Sequence, residues 1–289
     1  MLSFILTVLL DGISYGMILF LISVGLTVTM GLMRVVNLAH GAFAMIGGYV
    51  AGYLTQRGGN FYLSTIAAAI SAGAMGAVSE MTVLRPLYRK GELAQVLLTI
   101  GMVFVATGTI TELFGAFPYP VVFPDYLTRP INIGFREYPA YRLFLIAVGA
   151  VIAAALWFLV ERSIYGARLR AAVDNARMAR AVGMDVNFLF TGTFIVGCAL
   201  AGFGGAIGAG ILSLEPAYAL KYVVLFLVVV AVGGEGSFEG SFVAAMALGI
   251  IDTVGKYFVP LAAPYLLYAA VFVLLLWRPR GLLPPKSVA

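Results

Sequence analysis

The chain has 289 residues, 62% of them hydrophobic and only 11% charged, with a formal net charge of +5. Soluble proteins carry roughly 25% charged residues, so there are too few charges here to cover a water-facing globule, and the aromatic content is too high for a disordered chain. A single cysteine, Cys198, and a single histidine, His40, exclude a disulfide framework and a Cys/His zinc site supplied by this chain alone.

The apolar runs are continuous, whereas the strands of a membrane barrel alternate polar and apolar residues. The expected fold is therefore all-α, a polytopic transmembrane helical bundle. A spanning helix needs about 20 mostly apolar residues. Apolar segments lie near residues 4–30, 36–54, 61–83, 94–116, 143–160, 188–213, 221–233, 241–259 and 265–277. The seventh and the last are short, so the expectation is roughly eight or nine spans, including a broken or re-entrant piece, within one permease-like domain covering 1–289. Residues 1–10 hold no Lys or Arg. They lack the charged start of a signal peptide and read as part of a retained first span.

Charge divides the connecting loops. One face would hold Arg34, Arg85, Arg89, Lys90, Arg162, Arg168, Arg170, Arg177, Arg180, Arg278, Arg280 and Lys286. The other would hold Arg57, Arg129, Arg136, Arg142, Lys221 and Lys256. The richer face is expected to be cytoplasmic. With nine crossings this puts the N-terminus in the periplasm and the C-terminus in the cytoplasm.

Two loops stand out. Residues 117–141 carry five prolines and four tyrosines, which prevent a regular helix and suit a membrane–water interface. Residues 161–187 contain an expected helix from Ala167 to Val182, with Leu169, Ala172, Val173, Ala176, Ala179 and Val182 on one face. Arg170, Asp174, Arg177 and Ala181 fall opposite, and Gly183 suits a left-handed cap. Such a helix either lies on anionic headgroups or fits a groove in a cytoplasmic partner.

Asn37 and His40 are three residues apart, on one helix face. They either line a path or cross-link helices. Gly41, Gly47, Gly48 and Gly52 permit close helix approach, as do glycine pairs four apart at Gly12/Gly16, Gly204/Gly208 and Gly236/Gly240. Three glycines in Gly233-Gly234-Glu235-Gly236 break a helix, as in the discontinuous helices of transporters. Asp252 and Lys256 are four apart and are expected to pair near the outer edge. Neither a nucleophile–base set nor a Walker loop is visible. The stretch from Gly249 to Lys256-Tyr257 has the wrong spacing and lacks the hydroxyl that Mg²⁺ needs. The chain is thus not expected to be an enzyme.

The stretch Asn37-Leu38-Ala39-His40-Gly41-Ala42-Phe43-Ala44-Met45-Ile46-Gly47-Gly48-Tyr49 resembles the signature of the branched-chain amino acid ABC transporter permeases, in the form of their smaller subunit type. Tyr165-Gly166-Ala167-Arg168-Leu169-Arg170-Ala171 with Asn175, Ala199-Leu200-Ala201-Gly202, Val232-Gly233-Gly234-Glu235-Gly236-Ser237 and Arg278-Pro279-Arg280-Gly281-Leu282 are similar to further family segments. Glu235 and Glu239 depart from the pattern.

The resemblance implies a multi-pass permease subunit of an ATP-driven importer in a bacterial inner membrane. It further implies a second permease subunit (homo- or heterodimer), two cytoplasmic ATPase subunits that bind the ATP and Mg²⁺, a periplasmic substrate-binding protein, and no cofactor, metal or nucleic acid on this chain. On that reading Asn37, His40, Gly41, Gly234 and Glu235 are path or gate candidates. Arg168, Leu169, Arg170, Val173, Asn175, Ala176 and Arg177 are candidates for coupling to the ATPase. The solute is expected to be a branched-chain or related amino acid. Another polar solute (urea, a short amide or a sugar), an ion-coupled secondary transporter and a passive channel are the alternatives.

Overall fold

The computed structural model describes residues 2–33, 37–88, 90–134 and 136–283. Arg34, Arg89 and Lys286, assigned to the arginine-rich face by sequence, lie outside these residues. The helices are α1 (Leu2–Met33), α2 (His40–Gln56), α3 (Phe61–Ser79), α4 (Glu92–Phe114), the short α5 (Asp125–Thr128), α6 (Ala140–Trp157), α7 (Ile164–Asp174), α8 (Ala176–Ala181), α9 (Val186–Gly208), α10 (Tyr218–Gly233), α11 (Phe238–Phe258) and α12 (Ala263–Trp277). Each of the nine apolar segments expected from sequence forms a helix. Among the described residues, six helices are long and apolar enough to cross a membrane. The other three, α2, α10 and α12, have 17, 16 and 15 residues. The fold is a polytopic helical bundle.

Apolar all round, α1 is the centre, and residues 17–26 are almost wholly buried. Such a helix must be enclosed by others, and α11, α9, α6 and α10 enclose it. Small residues set the distances. A Cβ on Gly25 would come within 2.5 Å of the Gly197 carbonyl oxygen on α9, and one on Gly12 within 2.8 Å of the Ile250 Cα on α11. The glycine pairs four apart serve this packing. Gly204 and Gly208 of α9 face Ile22 and Ile18, and Gly249, inside the chance Walker-like stretch, meets Gly12 and Gly16.

Two ends can be defined by contact. At the arginine-rich end, Gly31 of α1 meets Gly236 between α10 and α11, and Leu282 N donates to Val232 O at 2.7 Å, folding the C-terminal tail onto α10. At the opposite end, residues 117–141 form α5 and an antiparallel hairpin, β1 (Pro130–Asn132) with β2 (Glu137–Pro139), in which Ile131 faces Tyr138. This small hairpin is the one departure from an all-helical reading among the described residues.

Three helix termini meet inside the bundle. His40 at the start of α2 bonds Ile22, Gly208 at the end of α9 faces Ile18, and Ala219 at the start of α10 packs against Gly41. At 1.5 Å per residue, Ile22 lies about 16 Å from the arginine-rich end of α1 and about 30 Å from its other end. The turn between α9 and α10 is therefore well inside the bundle. Residues 117–141 cover it: Tyr119 N donates to Leu214 O at 2.8 Å, and the Tyr141 hydroxyl donates to Ile207 O. The short seventh segment is thus a broken one. Lys221 lies in the first turn of α10, at the helix end nearer residues 117–141.

The 161–187 loop also departs from expectation. The single helix expected over 167–182 is two helices, broken at Asn175, whose backbone leaves the helical region at φ −151°, ψ 88°. Its side chain instead accepts from Met178 N at 2.9 Å and caps α8. Asparagine competes for backbone donors in this way. Gly166 lies inside α7, where its missing Cβ leaves room for the Val160 carbonyl. Gly183 does adopt the left-handed cap, at φ +85°.

Candidate functional site

Asn37 and His40 are both buried. Asn37 Oδ1 accepts from Ala39 N at 3.1 Å, forming the turn that leads into α2. His40 Nε2 lies 2.7 Å from Ile22 O and ties the start of α2 to the middle of α1. Asn37 Nδ2 and His40 Nδ1 have no hydrogen-bond partner. Gly41 lets α10 approach through Ala219.

Gly234 and Glu235 are elsewhere. Ala219 and Gly234 stand at opposite ends of α10, about 22 Å apart by helical rise, so the five path candidates do not form one site. The chain breaks at Gly234 (φ +101°) and Gly236 (φ +80°) as expected. The backbone of Gly281 closes against Gly234, and Glu235 is exposed.

The coupling candidates divide in two. Leu169 is buried against its own chain, and Ala172 and Ala179 pack on Val186 and Leu189 of α9, with Ala176 partly buried beside them. Leu169, Ala172 and Ala179 of this stripe thus anchor α7 and α8, together a hook, on the chain's own bundle. Val173 is half-buried. Arg170 turns back to donate to Val160 O and lies 3.9 Å from Glu161. The outward surface consists of Arg168, Arg177 and Arg180 with the apolar Ile164, Met178 and Val182, the last three 61–73% exposed.

Sequence reasoning missed a buried cluster beside this hook. Glu80 is 1% exposed. Its carboxylate accepts from Arg85 Nη2 at 2.7 Å and Nε at 3.1 Å, from the Tyr88 hydroxyl at 2.9 Å and from the Thr191 hydroxyl at 2.9 Å. Burial, then the Glu80 charge, push the Tyr88 phenol well above the ordinary tyrosine range. A π-helical stretch, Glu80–Leu84, turns the glutamate inward, a device common at functional sites. The cluster joins the end of α3 to the first turns of α9, whose other face carries the hook. Glu80 and Arg85 five apart were the only sequence signal, because Thr191 is distant in the chain.

At the hairpin end, buried Asp11 accepts from the Tyr138 hydroxyl at 2.6 Å and the Tyr257 hydroxyl at 2.8 Å, and pairs with Arg142. It locks β2, α6 and α11 onto α1. Asp252 and Lys256 pair at 2.5 Å, as their spacing suggested. Glu112 is exposed near the end of α4. A cavity of about 860 Å³ opens between α2, α3 and α4. Its walls are mostly apolar and carry no charged side chain; Ser79, Thr82 and Thr109 are bonded to their own helices, and the Tyr49 hydroxyl alone among the lining hydroxyls is buried without a partner.

The family described as "Branched-chain amino acid transport system / permease component" matches residues 8–276, nearly the whole bundle from α1 to α12. The chain belongs to this permease family. It is 24% identical to the permease protein BraD of a high-affinity branched-chain amino acid transport system in Pseudomonas aeruginosa, over 97% of this chain and 96% of BraD. It is 24% identical to Escherichia coli LivH, a permease protein of the same description, over 96% of this chain and 95% of LivH. Escherichia coli LivM, also so described, is 26% identical over 95% of this chain but only 69% of LivM. The end-to-end match is thus with the LivH type. Among solved structures, PsaBC from Streptococcus pneumoniae in complex with Fab superposes over 98% of this chain and 93% of that chain, with TM-score 0.52 and 15% identity. That likeness concerns the fold.

Within this family setting, the motif around Asn37 and His40 holds the inward start of α2, and the motif around Gly234 forms the turn on which the C-terminal Arg-Pro-Arg-Gly-Leu segment closes. The family segment at Tyr165 builds the base of the hook: the Tyr165 hydroxyl is 2.9 Å from the Thr193 hydroxyl on α9.

Proposed function

We propose that this chain is a membrane-spanning permease subunit of an ATP-binding cassette importer for branched-chain or related amino acids. The carrying observation is the family match over residues 8–276. The exposed hook supports it: α7 and α8 are anchored on α9 by Leu169, Ala172 and Ala179, while Met178, Val182 and three arginines face outward. A rigid element so held can convey a partner's movement to α9, since packed interfaces switch between discrete arrangements. Two ATPase subunits would grip the hooks of two permeases and bind ATP and Mg²⁺ themselves.

The arginine-rich end would face the cytoplasm, and the hairpin end would receive solute from a periplasmic binding protein. That LivH and LivM of Escherichia coli are both permease proteins supports a second permease subunit, related or identical, beside this one. Asn37, His40 and Gly41 would fix the inner start of α2 next to the path. Gly234 and Glu235 would shape its cytoplasmic mouth.

Reconstitution tests this. Proteoliposomes holding the chain with its ATPase and permease partners should concentrate leucine only when ATP is hydrolysed. Uphill uptake by the purified chain alone under an ion gradient would overturn the proposal.

A further inference from the structure

Charged and phenolic groups form a strip across α10, α1 and α11. At the α9–α10 turn, Lys221 Nζ lies 2.5 Å from Glu215 Oε1 and 5.4 Å from the centre of the Tyr222 ring. Tyr222 packs edge-on against Tyr218 at 4.8 Å. Tyr15 lies on α1, which packs against both α10 and α11. Lys256 Nζ closes the strip, 5.0 Å from the Tyr15 ring and 2.5 Å from Asp252.

Lys221 is 49% exposed and Lys256 59%, whereas Asp252 is buried. Tyr218 is also fully buried and its hydroxyl has no hydrogen-bond partner. Lys221 belongs to an apolar helix that begins with Ala219 against Gly41, next to the His40–Ile22 bond and inside the bundle. Hydrocarbon does not solvate an exposed ion pair at that depth, and such groups face a bundle interior or a wet cavity. The α2–α3–α4 cavity offers one unpartnered phenol, Tyr49, but no charged side chain, and Asn37 and His40 are buried.

From this arrangement we infer that the strip is a solute station selective for a zwitterion with an apolar side chain. The inference rests on the importer reading and locates the recognition chemistry within it. Lys221 pairs with the solute carboxylate, and Glu215 or Asp252 with its ammonium group. The Tyr218 hydroxyl adds a hydrogen bond, and the rings of Tyr15 and Tyr222 flank the apolar side chain. A zwitterion entering between two ion pairs leaves no charge unmatched. A solute with one charge strands a lysine or a carboxylate, which is costly in a low-dielectric site.

Val224 is 49% exposed on α10, one turn from Lys221, and Ile70 is exposed on α3. The test places Val224→Cys or Ile70→Cys in the complete transporter in proteoliposomes; native Cys198 is buried. A hydrophilic thiol reagent should label the Val224→Cys transporter faster than the Ile70→Cys transporter. Saturating L-leucine should slow labelling at position 224, whereas isopentylamine and 4-methylpentanoate, each lacking one charge, should not. Adding Lys221→Met to Val224→Cys should raise the leucine concentration for half-protection by about tenfold.

Labelling of Val224→Cys no faster than of Ile70→Cys overturns the station, as does equal protection by all three compounds or by none. Failure of the importer reading shows separately, as absence of ATP-dependent leucine uptake by the unsubstituted complex.

Discussion

His40 Nε2 lies 2.7 Å from the carbonyl oxygen of Ile22, so the first residue of α2 is fastened to the middle of α1 and not to its end. The bond sets how far α2 starts inside the bundle, and with it the position of Gly41 against α10.

Replacing His40 by alanine removes this bond and leaves a small void. A helix–helix hydrogen bond within a membrane is worth about 0.6–2 kcal/mol, and lost core volume adds to the cost. His40→Ala should lower stability by about 2 kcal/mol, seen as a reduced midpoint of thermal unfolding in detergent, while uptake per folded molecule is kept. A folded variant of unchanged stability that has lost uptake would place His40 on the path instead.

Glu80 and Arg85 make a sharper case. Removing one member of a buried ion pair costs about 3–5 kcal/mol, whereas removing both is far milder. Arg85 is partly exposed, so Arg85→Met should fall toward the lower end of that range by stranding the Glu80 carboxylate. Glu80→Gln should cost less, because the amide oxygen can still accept from one of the Tyr88 and Thr191 hydroxyls and no buried carboxylate is stranded. The double variant should recover part of the loss. A double-mutant cycle on unfolding midpoints measures the coupling.

Close packing makes an opposite pair of predictions for two glycines. A Cβ on Gly47 would lie 2.3 Å from the Gly202 Cα, whereas one on Gly101 meets nothing within 4 Å. Gly47→Ala should push α2 off α9 and sharply reduce folded yield. Gly101→Ala should stabilise α4 by up to about 1 kcal/mol, the propensity difference in a helix interior. Size-exclusion profiles and unfolding midpoints of the two variants distinguish these outcomes.

Tyr138 gives the outer hairpin a pH dependence. Burial, then the hydrogen bond to Asp11 and the charge of that carboxylate, raise its ionisation well above the ordinary tyrosine value of 10.0. The folded chain thus holds this proton after the unfolded chain has lost it. Its contribution is fully present below pH about 10 and is lost as pH rises further. Tyr138→Phe should flatten the alkaline fall in stability, measured as unfolding midpoint against pH between about 9 and 11.

Much of this organisation was legible in the sequence because each signal was local. Apolar run length located nine helices, three glycines in four residues marked the break before α11, and the four-residue spacing of Asp252 and Lys256 foretold their pair. What was not legible depends on depth and distant partners. Nothing near Lys221 reveals that α10 starts against Gly41 at the beginning of α2. Glu80 is satisfied by Thr191, more than a hundred residues away, and the Asp11 lock draws on Tyr138, Arg142 and Tyr257. Asn175 fits a helical pattern by position, yet its side chain captures Met178 N and splits the helix. The apolar face of the hook was read correctly as a face, but periodicity does not say whether a face meets the same chain or another.

That last ambiguity yields a direct test of the hook. Leu169 is 2% exposed and Met178 61%, so the same substitution should act by different routes at the two positions. Leu169→Asp buries a charge among Val24, Tyr165 and Leu200 and should prevent folding, giving little protein of correct size. Met178→Asp and Val182→Asp alter only exposed groups. Exposed substitutions usually change stability by no more than about 0.5 kcal/mol, so both should insert and melt as the unsubstituted chain does. They should nevertheless lose ATP-driven uptake and fail to retain the ATPase subunits on co-purification, because an aspartate would have to be desolvated against the partner's groove. Val173→Asp, half-buried, should show both effects in part. If Met178→Asp and Val182→Asp kept full uptake and full ATPase retention, α7 and α8 would be reduced to a helix pair resting on lipid, and the route from ATP hydrolysis into α9 would have to be sought elsewhere.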